Sequence, residues 1–213
     1  TRCWTVTGVQ TCALPISLEH WKDLIAETQN VLTPVVAGKY ILAHYMKDAI
    51  SQVKQYDFEG KLIRDIKLPA LGTVTLNSAK EEESESYFSF ENFYTPSSIY
   101  KLHLDKGDTE LYWAPKIDFN PNDFESKQVF YASKDGTKVP MIITYKKGTP
   151  LDGTAPACLY GYGGFNISYT PWFAVTYAVW MNNGGVFAVA NIRGGGEYGK
   201  KWHDDGTKFI MWS

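Results

Sequence analysis

The same succession of strands and turns occurs twice in the first half of the chain. Four identical pairs align, without a gap, at an offset of 47 residues: Tyr40 with Tyr87, Ser51 with Ser98, Lys54 with Lys101, and Gly60 with Gly107. Each copy has the pattern strand, turn, strand, glycine turn, strand. A repeat of about 40 to 50 residues with several strands per unit is typical of a β-propeller blade. Because two units cannot close a ring of about four to eight blades, the pattern predicts either an incomplete propeller or a small open sheet.

The second half of the chain has a different pattern. It follows the segment "APKIDFNPNDFESK" at 114–127, whose prolines and Asn/Asp residues interrupt the strand pattern and predict a domain boundary, placed between 116 and 117. Next, "QVFYAS" and "KVPMIITYKK" flank an Asp135-Gly turn and predict a β-hairpin. Pro140 restricts its strand to the edge of a sheet or to a position without a ladder hydrogen bond.

A strand, a helix and a second strand are predicted after this hairpin. "ACLYGY" is a short apolar strand candidate. Thr170 and the proline that follows it predict the start of a helix that carries Trp172, Val175 and Val179 on one face and ends at "NNG", residues 182–184. "GGVFAVANI" is a continuous apolar run, which predicts a strand covered on both faces. This order is typical of a parallel α/β sheet.

Each of the two predicted strands ends in a glycine-rich loop. The first loop, "YGYGGF" at 160–165, would expose backbone N–H groups at the carboxyl edge of the sheet, where α/β proteins bind ligands. One arrangement of this kind is the oxyanion hole of α/β-hydrolases, to which Tyr162 can add a phenolic O–H. The second loop, "NIRGGGEYG" at 191–199, lacks a Walker lysine at the required spacing. It predicts a tight structural turn in which Arg193 and Glu197 pair.

These segments together resemble a known family. The stretch from Gln128 to Gly206, with its two glycine loops, is similar to the start of the catalytic domain of the prolyl oligopeptidases, serine peptidases with an α/β-hydrolase domain and a β-propeller. A looser similarity extends back through the repeats to about residue 18. The related oligopeptidase B, which cuts after basic residues, ends its YGYG loop differently, so Gly164 and Phe165 favour the prolyl branch.

The resemblance implies a fold and a function. The fold class is mixed, with the C-terminal part of a β-propeller at 18–116 followed by the N-terminal part of an α/β-hydrolase domain at 117–213. The parent enzyme would hydrolyse the peptide bond after proline in short, proline-containing peptides through an acyl-enzyme, with Ser attacking, His as general base and Asp orienting the His. It would be a monomer in the cytoplasm without a metal or organic cofactor.

The resemblance also implies roles for two aromatic residues. Tyr162 would donate its hydroxyl to the oxyanion of the tetrahedral intermediate, because a donor placed where charge develops stabilises the transition state. Phe165 would line the pocket for the substrate proline, where its flat ring can pack against the pyrrolidine. Without the resemblance, each residue would be interpreted as an aromatic that anchors its loop.

The chain departs from the family at its ends. No G-x-S-x-G nucleophile elbow occurs in it. In the family the elbow and the triad Asp and His follow the point where this sequence ends, and none of the four histidines occupies the triad position: His20, His44, His103 and His203. The final "FIMWS" also departs from the family pattern. We therefore expect the chain by itself to be inactive. Two alternatives remain: an oligopeptidase of the same class with another specificity, and a non-catalytic β-rich binding or scaffold protein.

Composition and the first residues limit the other function classes. Lys and Arg number 21 against 23 Asp and Glu, so no net basic field attracts nucleic acid or an anionic membrane surface. No apolar run approaches the length of about 18 residues that spans a bilayer. Residues 1–17 contain "TGVQTCALPI", which looks like a translated short-read sequencing adapter and predicts either an artefact or a disordered leader. Beyond them Cys158 is the only cysteine, which excludes a disulfide framework.

Overall fold

Three four-stranded sheets make up the part of the chain that the structure describes. The structure is a computed structural model, and it describes residues 23–28 and 30–207. The predicted leader at 1–17, His20 and the family departure at 209–213 lie outside the described residues. Among those described, no helix is long and apolar enough to cross a membrane.

Sheets 1 and 2 are antiparallel meanders whose strands follow chain order. Sheet 1 contains β1 (Val31–Ala37), β2 (Tyr40–Lys47), β3 (Ile50–Tyr56) and β4 (Leu62–Ile66). Sheet 2 contains β5 (Thr73–Leu76), β6 (Glu85–Glu91), β7 (Ser98–His103) and β8 (Thr109–Trp113). The repeat is confirmed, since Tyr40 and Tyr87 lie in corresponding second strands. The structure adds a first strand to each unit.

The two meanders bury one apolar core between them. In β6 the side chains alternate, so that Phe88 and Phe90 are buried while Tyr87 and Ser89 are less so. The core residues come from both sheets: Leu42, Val53, Ile66, Val74, Phe88, Phe90, Leu102 and Leu104. This packing of one sheet on the next is how propeller blades bury their faces.

Sheet 3 is mixed, with the strand order β11-β12-β10-β9. Its strands are β9 (Phe124–Ala132), β10 (Lys138–Lys146), β11 (Ala157–Gly161) and β12 (Val186–Ala190). The predicted hairpin is confirmed, since β9 and β10 pair from Ala132 with Lys138 onward. The predicted parallel unit is also confirmed, because β11 and β12 pair in parallel and α1 (Val175–Asn182) connects them. β12 is buried throughout, as its apolar run predicts.

The predicted start and face of the helix are wrong. α1 begins at Val175 instead of Thr170, and its buried residues are Ala178 and Met181, whereas Val175 and Val179 are exposed. The preceding segment stays non-helical because sheet 2 holds its backbone. The Thr73 hydroxyl donates to the carbonyl of Pro171 at 2.6 Å, and the N–H of Phe173 donates to the Glu91 carboxylate at 3.2 Å. The predicted end at 182–184 is confirmed.

Pro140 lies in an interior strand. β10 has neighbours on both sides, but its pairing with β12 begins only at Met141. The carbonyl of Pro140 accepts the N–H of Asn191 just beyond the end of β12. The missing N–H of the proline therefore falls outside this ladder, which is the second of the two predicted possibilities.

Candidate active site

The first glycine loop lies at the carboxyl end of β11, as the sequence predicts. β11 ends at Gly161, and Tyr162 follows with 44% of its surface exposed. The ring of Tyr162 stacks at 6.5 Å on the ring of Tyr169, which in turn lies 4.8 Å from the ring of Tyr160. The loop thus presents one phenol to solvent above a layer of packed aromatic rings.

Phe165 is the most exposed aromatic side chain of this loop. The residue is 83% exposed, and both Phe165 and Asn166 have positive φ angles, of 53° and 57°. Such left-handed backbone costs about 1–2 kcal/mol for a residue with a β-carbon. Hydrogen bonds on each side hold it, because the N–H of Asn166 donates to the Gly194 carbonyl at 3.1 Å and the N–H of Ile167 donates to the Gly164 carbonyl at 3.0 Å.

The second glycine loop is the surface on which the first one rests. A β-carbon on Gly163 would lie 2.3 Å from Cγ1 of Ile192, and one on Gly194 would lie 2.1 Å from the Gly163 carbonyl oxygen. Side chains at either position would therefore separate the loops. The predicted structural turn at 191–199 therefore also supports the first glycine loop. Its sequence pattern does not indicate this role.

The predicted pairing of Arg193 with Glu197 is wrong. Arg193 forms an ion pair with Asp135 in the β9–β10 turn, and its other nitrogen reaches the Ser133 hydroxyl at 3.4 Å. Hydrogen bonds from Thr137, and then the Arg193 guanidinium, lower the pKa of Asp135 to about 2. Glu197 turns inward instead and accepts the N–H of Tyr169 at 2.9 Å.

The three described histidines have different surroundings. His44 lies in β2, where Nε2 is 2.7 Å from the Ser51 hydroxyl and burial lowers its pKa. His103 lies on the surface of sheet 2, at 3.4 Å from a Glu85 carboxylate oxygen. His203, in α2 (Lys200–Asp204), lies beside the second glycine loop. Its Nδ1 lies 2.7 Å from the Gly194 carbonyl oxygen and 3.1 Å from the backbone nitrogen of Asn166, so this ring nitrogen contacts both glycine-loop segments.

A cavity of about 560 Å³ lies between β1 and β2 of sheet 1 on one side and the second glycine loop, α2 and the segment after Phe165 on the other. Its lining includes Val31, Met46, Asn166, Ser168, Lys200 and His203. Neither Tyr162 nor Phe165 lines it, although both side chains are exposed. Within 23–28 and 30–207, no group of three or more His, Cys, Asp or Glu residues is placed to hold a metal ion.

Comparisons with known proteins agree with this architecture. The family described as "Prolyl oligopeptidase, N-terminal beta-propeller domain" matches residues 11–115, and the one described as "Prolyl oligopeptidase family" matches residues 171–209. The chain belongs to the prolyl oligopeptidase family. The predicted fold class, propeller blades followed by the start of a hydrolase domain, is confirmed.

Individual members of this family are similar over most of the chain. A prolyl endopeptidase of Elizabethkingia miricola is 56% identical over 190 residues, which cover 89% of this chain and 27% of that protein. A prolyl endopeptidase of Dictyostelium discoideum is 43% identical over 195 residues, covering 89% of this chain and 26% of that protein. This chain therefore spans about a quarter of the length of these relatives.

Solved structures of the family are similar to most of this chain. One, from a structural and mechanistic analysis of two prolyl endopeptidases, has a TM-score of 0.81 at 40% identity and covers 90% of this chain and 28% of its own. Another, prolyl oligopeptidase B from Galerina marginata bound to a 25mer macrocyclization substrate, has a TM-score of 0.80 at 31% identity, covering 90% and 27%.

Proposed function

We propose that this chain is part of a serine peptidase that hydrolyses the peptide bond after proline in short peptides. The observation that carries the proposal is the loop after β11, which presents Tyr162 and Phe165 to solvent while its backbone rests on the second glycine loop. The nucleophilic Ser, the general-base His and the orienting Asp would come from the rest of the full-length protein. The relatives named prolyl endopeptidase support this activity.

Tyr162 is proposed to stabilise the oxyanion of the tetrahedral intermediate. Attack on the scissile carbonyl places negative charge on its oxygen, and a phenolic O–H aimed there binds the transition state more tightly than the substrate. The side chain suits this role because its ring is fixed against Tyr169 at 6.5 Å while part of its surface stays exposed. A purely anchoring aromatic would be buried more completely.

Phe165 is proposed to bind the proline ring of the substrate. A large apolar residue exposed at 83% on a left-handed backbone contributes little to the stability of the free protein. Strained backbone persists where the surroundings fix it, and such residues cluster at binding sites. Contact with a pyrrolidine ring would bury the exposed face of Phe165, so this residue would contribute to substrate selection.

The remaining assignments belong to the same proposal. Residues 18–116 would be propeller blades and residues 117–213 the start of the hydrolase domain. The parent would act as a cytoplasmic monomer on proline-containing oligopeptides, without nucleic acid or membrane partners. A peptidase of this class with another specificity is the second candidate, and Gly164 with Phe165 favours the prolyl one. A scaffold protein without activity is the third.

The test begins with long-read sequencing across both ends of the source reading frame, followed by expression of the full-length protein. If the frame continues into a G-x-S-x-G elbow, a chromogenic peptide with proline before the scissile bond should be hydrolysed, and one with arginine there should not. Tyr162→Phe should lower kcat by about 100-fold with little change in KM, because the donor acts only in the transition state. Tyr112→Phe, on exposed β8, is the matched control and should leave both unchanged.

Three results would contradict parts of this proposal. A frame without a nucleophile elbow would favour the scaffold protein. Faster cleavage after arginine would favour another specificity in the same class. Full kcat in Tyr162→Phe would remove the oxyanion role of Tyr162 while leaving the peptidase assignment in place.

A further inference from the structure

Glu197 is a buried carboxylate without a cationic partner among the described residues. It is 2% exposed, and Oε1 accepts the N–H of Tyr169 at 2.9 Å and the side-chain amide of Asn191 at 3.2 Å. The other oxygen, Oε2, has no hydrogen-bond partner there. Burying a carboxylate is costly unless hydrogen bonds compensate. Glutamate at this position therefore calls for a reason beyond packing.

Asn191 binds the backbone of the same residue, Tyr169, and forms a clamp on it together with Glu197. It follows β12 directly, it is fully buried, and its Nδ2 donates to the carbonyl of Tyr169 at 2.7 Å. Glu197 and Asn191 together thus satisfy both backbone polar groups of Tyr169, in the way that a neighbouring strand would. The loop that follows Phe165 is fixed to the end of the central parallel strand by two side chains.

The ring of Tyr169 is the surface against which Tyr162 packs. It meets Trp172 edge-on at 4.3 Å, lies 4.8 Å from Tyr160, and stacks on Tyr162 at 6.5 Å with 30° between the planes. A displacement of the Tyr169 backbone would move this ring and with it the phenol of Tyr162. A displacement of about 1 Å at a catalytic group can lower the rate by about 100-fold.

We infer that Glu197 and Asn191 are positioning residues, which hold the hydroxyl of Tyr162 at the oxyanion by fixing the backbone of Tyr169. The inference deepens the proposed function and rests on it. Gly195, two residues before Glu197, fits the same arrangement, because a β-carbon at this position would lie 2.1 Å from Oε2 of Glu197. The loop sequence thus leaves room for the carboxylate that holds the neighbouring loop.

The test is a double-mutant cycle in the full-length protein, with hydrolysis of the proline peptide as the readout. Glu197→Ala should lower kcat by about 10- to 100-fold with KM changed less than about twofold. Glu197→Gln keeps an oxygen that accepts the N–H of Tyr169 and should retain most of kcat. In a Tyr162→Phe background the loss caused by Glu197→Ala should shrink to less than about threefold, since the group it positions is gone.

Asp135→Ala is the matched control, because Asp135 also touches the second glycine loop, through Arg193. Its effect should be the same in both backgrounds. Equal losses from Glu197→Ala with and without the Tyr162 hydroxyl would overturn the inference. A Tyr162→Phe variant of full activity would overturn the proposed role of Tyr162 itself, which is a separate result.

Amide hydrogen exchange provides a readout that does not depend on catalysis. The N–H of Tyr169 should exchange at least about tenfold faster in Glu197→Ala than in Glu197→Gln. If Glu197→Ala fails to fold, the same cycle can be measured with Asn191→Ser, whose shorter side chain does not reach the Tyr169 carbonyl as the Asn191 amide does. Unchanged exchange of Tyr169, or an additive cycle for Asn191→Ser, would overturn the inference.

Discussion

The backbones of Gly194 and Gly163 touch, so closely that a β-carbon on Gly194 would stand 2.1 Å from the Gly163 carbonyl oxygen. The two glycine loops of the sequence are therefore two halves of one structure. The first carries Tyr162 and Phe165, and the second supplies the carbonyl of Gly194, which accepts the N–H of Asn166 at 3.1 Å. The position of the candidate catalytic loop depends on this contact.

Gly194→Ala should destabilise the full-length protein by more than about 2 kcal/mol. A left-handed alanine alone costs about 1–2 kcal/mol, and the new methyl group would also push the loops apart. Gly136→Ala is the control, because Gly136 has a similar φ of +83° but open space around it. Urea unfolding measures both. If the two variants lose the same stability, the close contact is not what requires glycine at 194.

Tyr198→Phe should lower the free energy of unfolding by about 1.5–3 kcal/mol, which is typical of a lost hydrogen bond to a charged group. The hydroxyl of Tyr198 donates to the Asp48 carboxylate at 2.5 Å and joins the second glycine loop to the β2–β3 turn of sheet 1. Burial, and then the contact with Asp48, raises the pKa of this phenol, so it stays a donor at neutral pH. Tyr112→Phe on exposed β8 should change the unfolding free energy by less than about 0.5 kcal/mol. Similar losses in both variants would count against this link.

The stability of the protein should fall as the pH drops below the ordinary His pKa of about 6.5. Burial lowers the pKa of His44 in the folded state, so between the two pKa values the unfolded chain binds more protons. The stabilisation from neutral His44 is present above pH 6.5 and is lost as the pH falls towards the folded-state pKa. Urea unfolding between pH 7.5 and 5.5 measures this loss. His44→Gln should flatten the profile, and an unchanged profile in this variant would contradict the role of His44.

The isolated 213-residue chain should aggregate when it is expressed alone. In the described residues β11 is an edge strand, and Leu159 on it is 67% exposed. Unpaired backbone groups beside an apolar side chain are a template for pairing with another chain. Leu159→Lys should therefore increase the monomer fraction in size-exclusion chromatography. Ile167→Lys changes an equally apolar exposed side chain in a loop, and an equal gain from it would show that the strand edge is not the cause.

Patterns of neighbouring residues were sufficient to predict the secondary-structure elements that depend only on local sequence. The Asp135-Gly turn, the buried run of β12 and the repeat in sheets 1 and 2 all follow from neighbouring residues. The helix start at Thr170 failed because Thr73 and Glu91, at sequence separations of 98 and 82, hold that backbone in a non-helical form.

The same limit applies to the candidate site. The motif around Tyr162 indicated which side chains to propose, but not what holds them. The pairing of Arg193 was predicted wrongly because its partner in the structure, Asp135, is 58 residues away. The clamp from Glu197 to Tyr169 spans 28 residues across α1 and β12. Such contacts depend on the packing of the sheet, which one sequence without the fold does not specify.

Phe165→Gly should make the full-length protein slightly more stable and a poorer enzyme. Glycine removes a left-handed strain of about 1–2 kcal/mol, but the greater conformational freedom of the unfolded glycine chain lowers the free energy of unfolding by about 0.5–1 kcal/mol. Phe165 is 83% exposed, so removing its ring loses little packing in the free protein. Loss of the contact with proline should lower kcat/KM by at least about tenfold.

Phe165→Ala is the control, because it loses the same ring but keeps the left-handed backbone strain. Its kcat/KM should fall equally without a gain in stability. Urea unfolding and peptide hydrolysis measure the two effects. If Phe165→Gly leaves kcat/KM unchanged, the exposed ring does not bind the substrate, and its strained backbone needs another explanation.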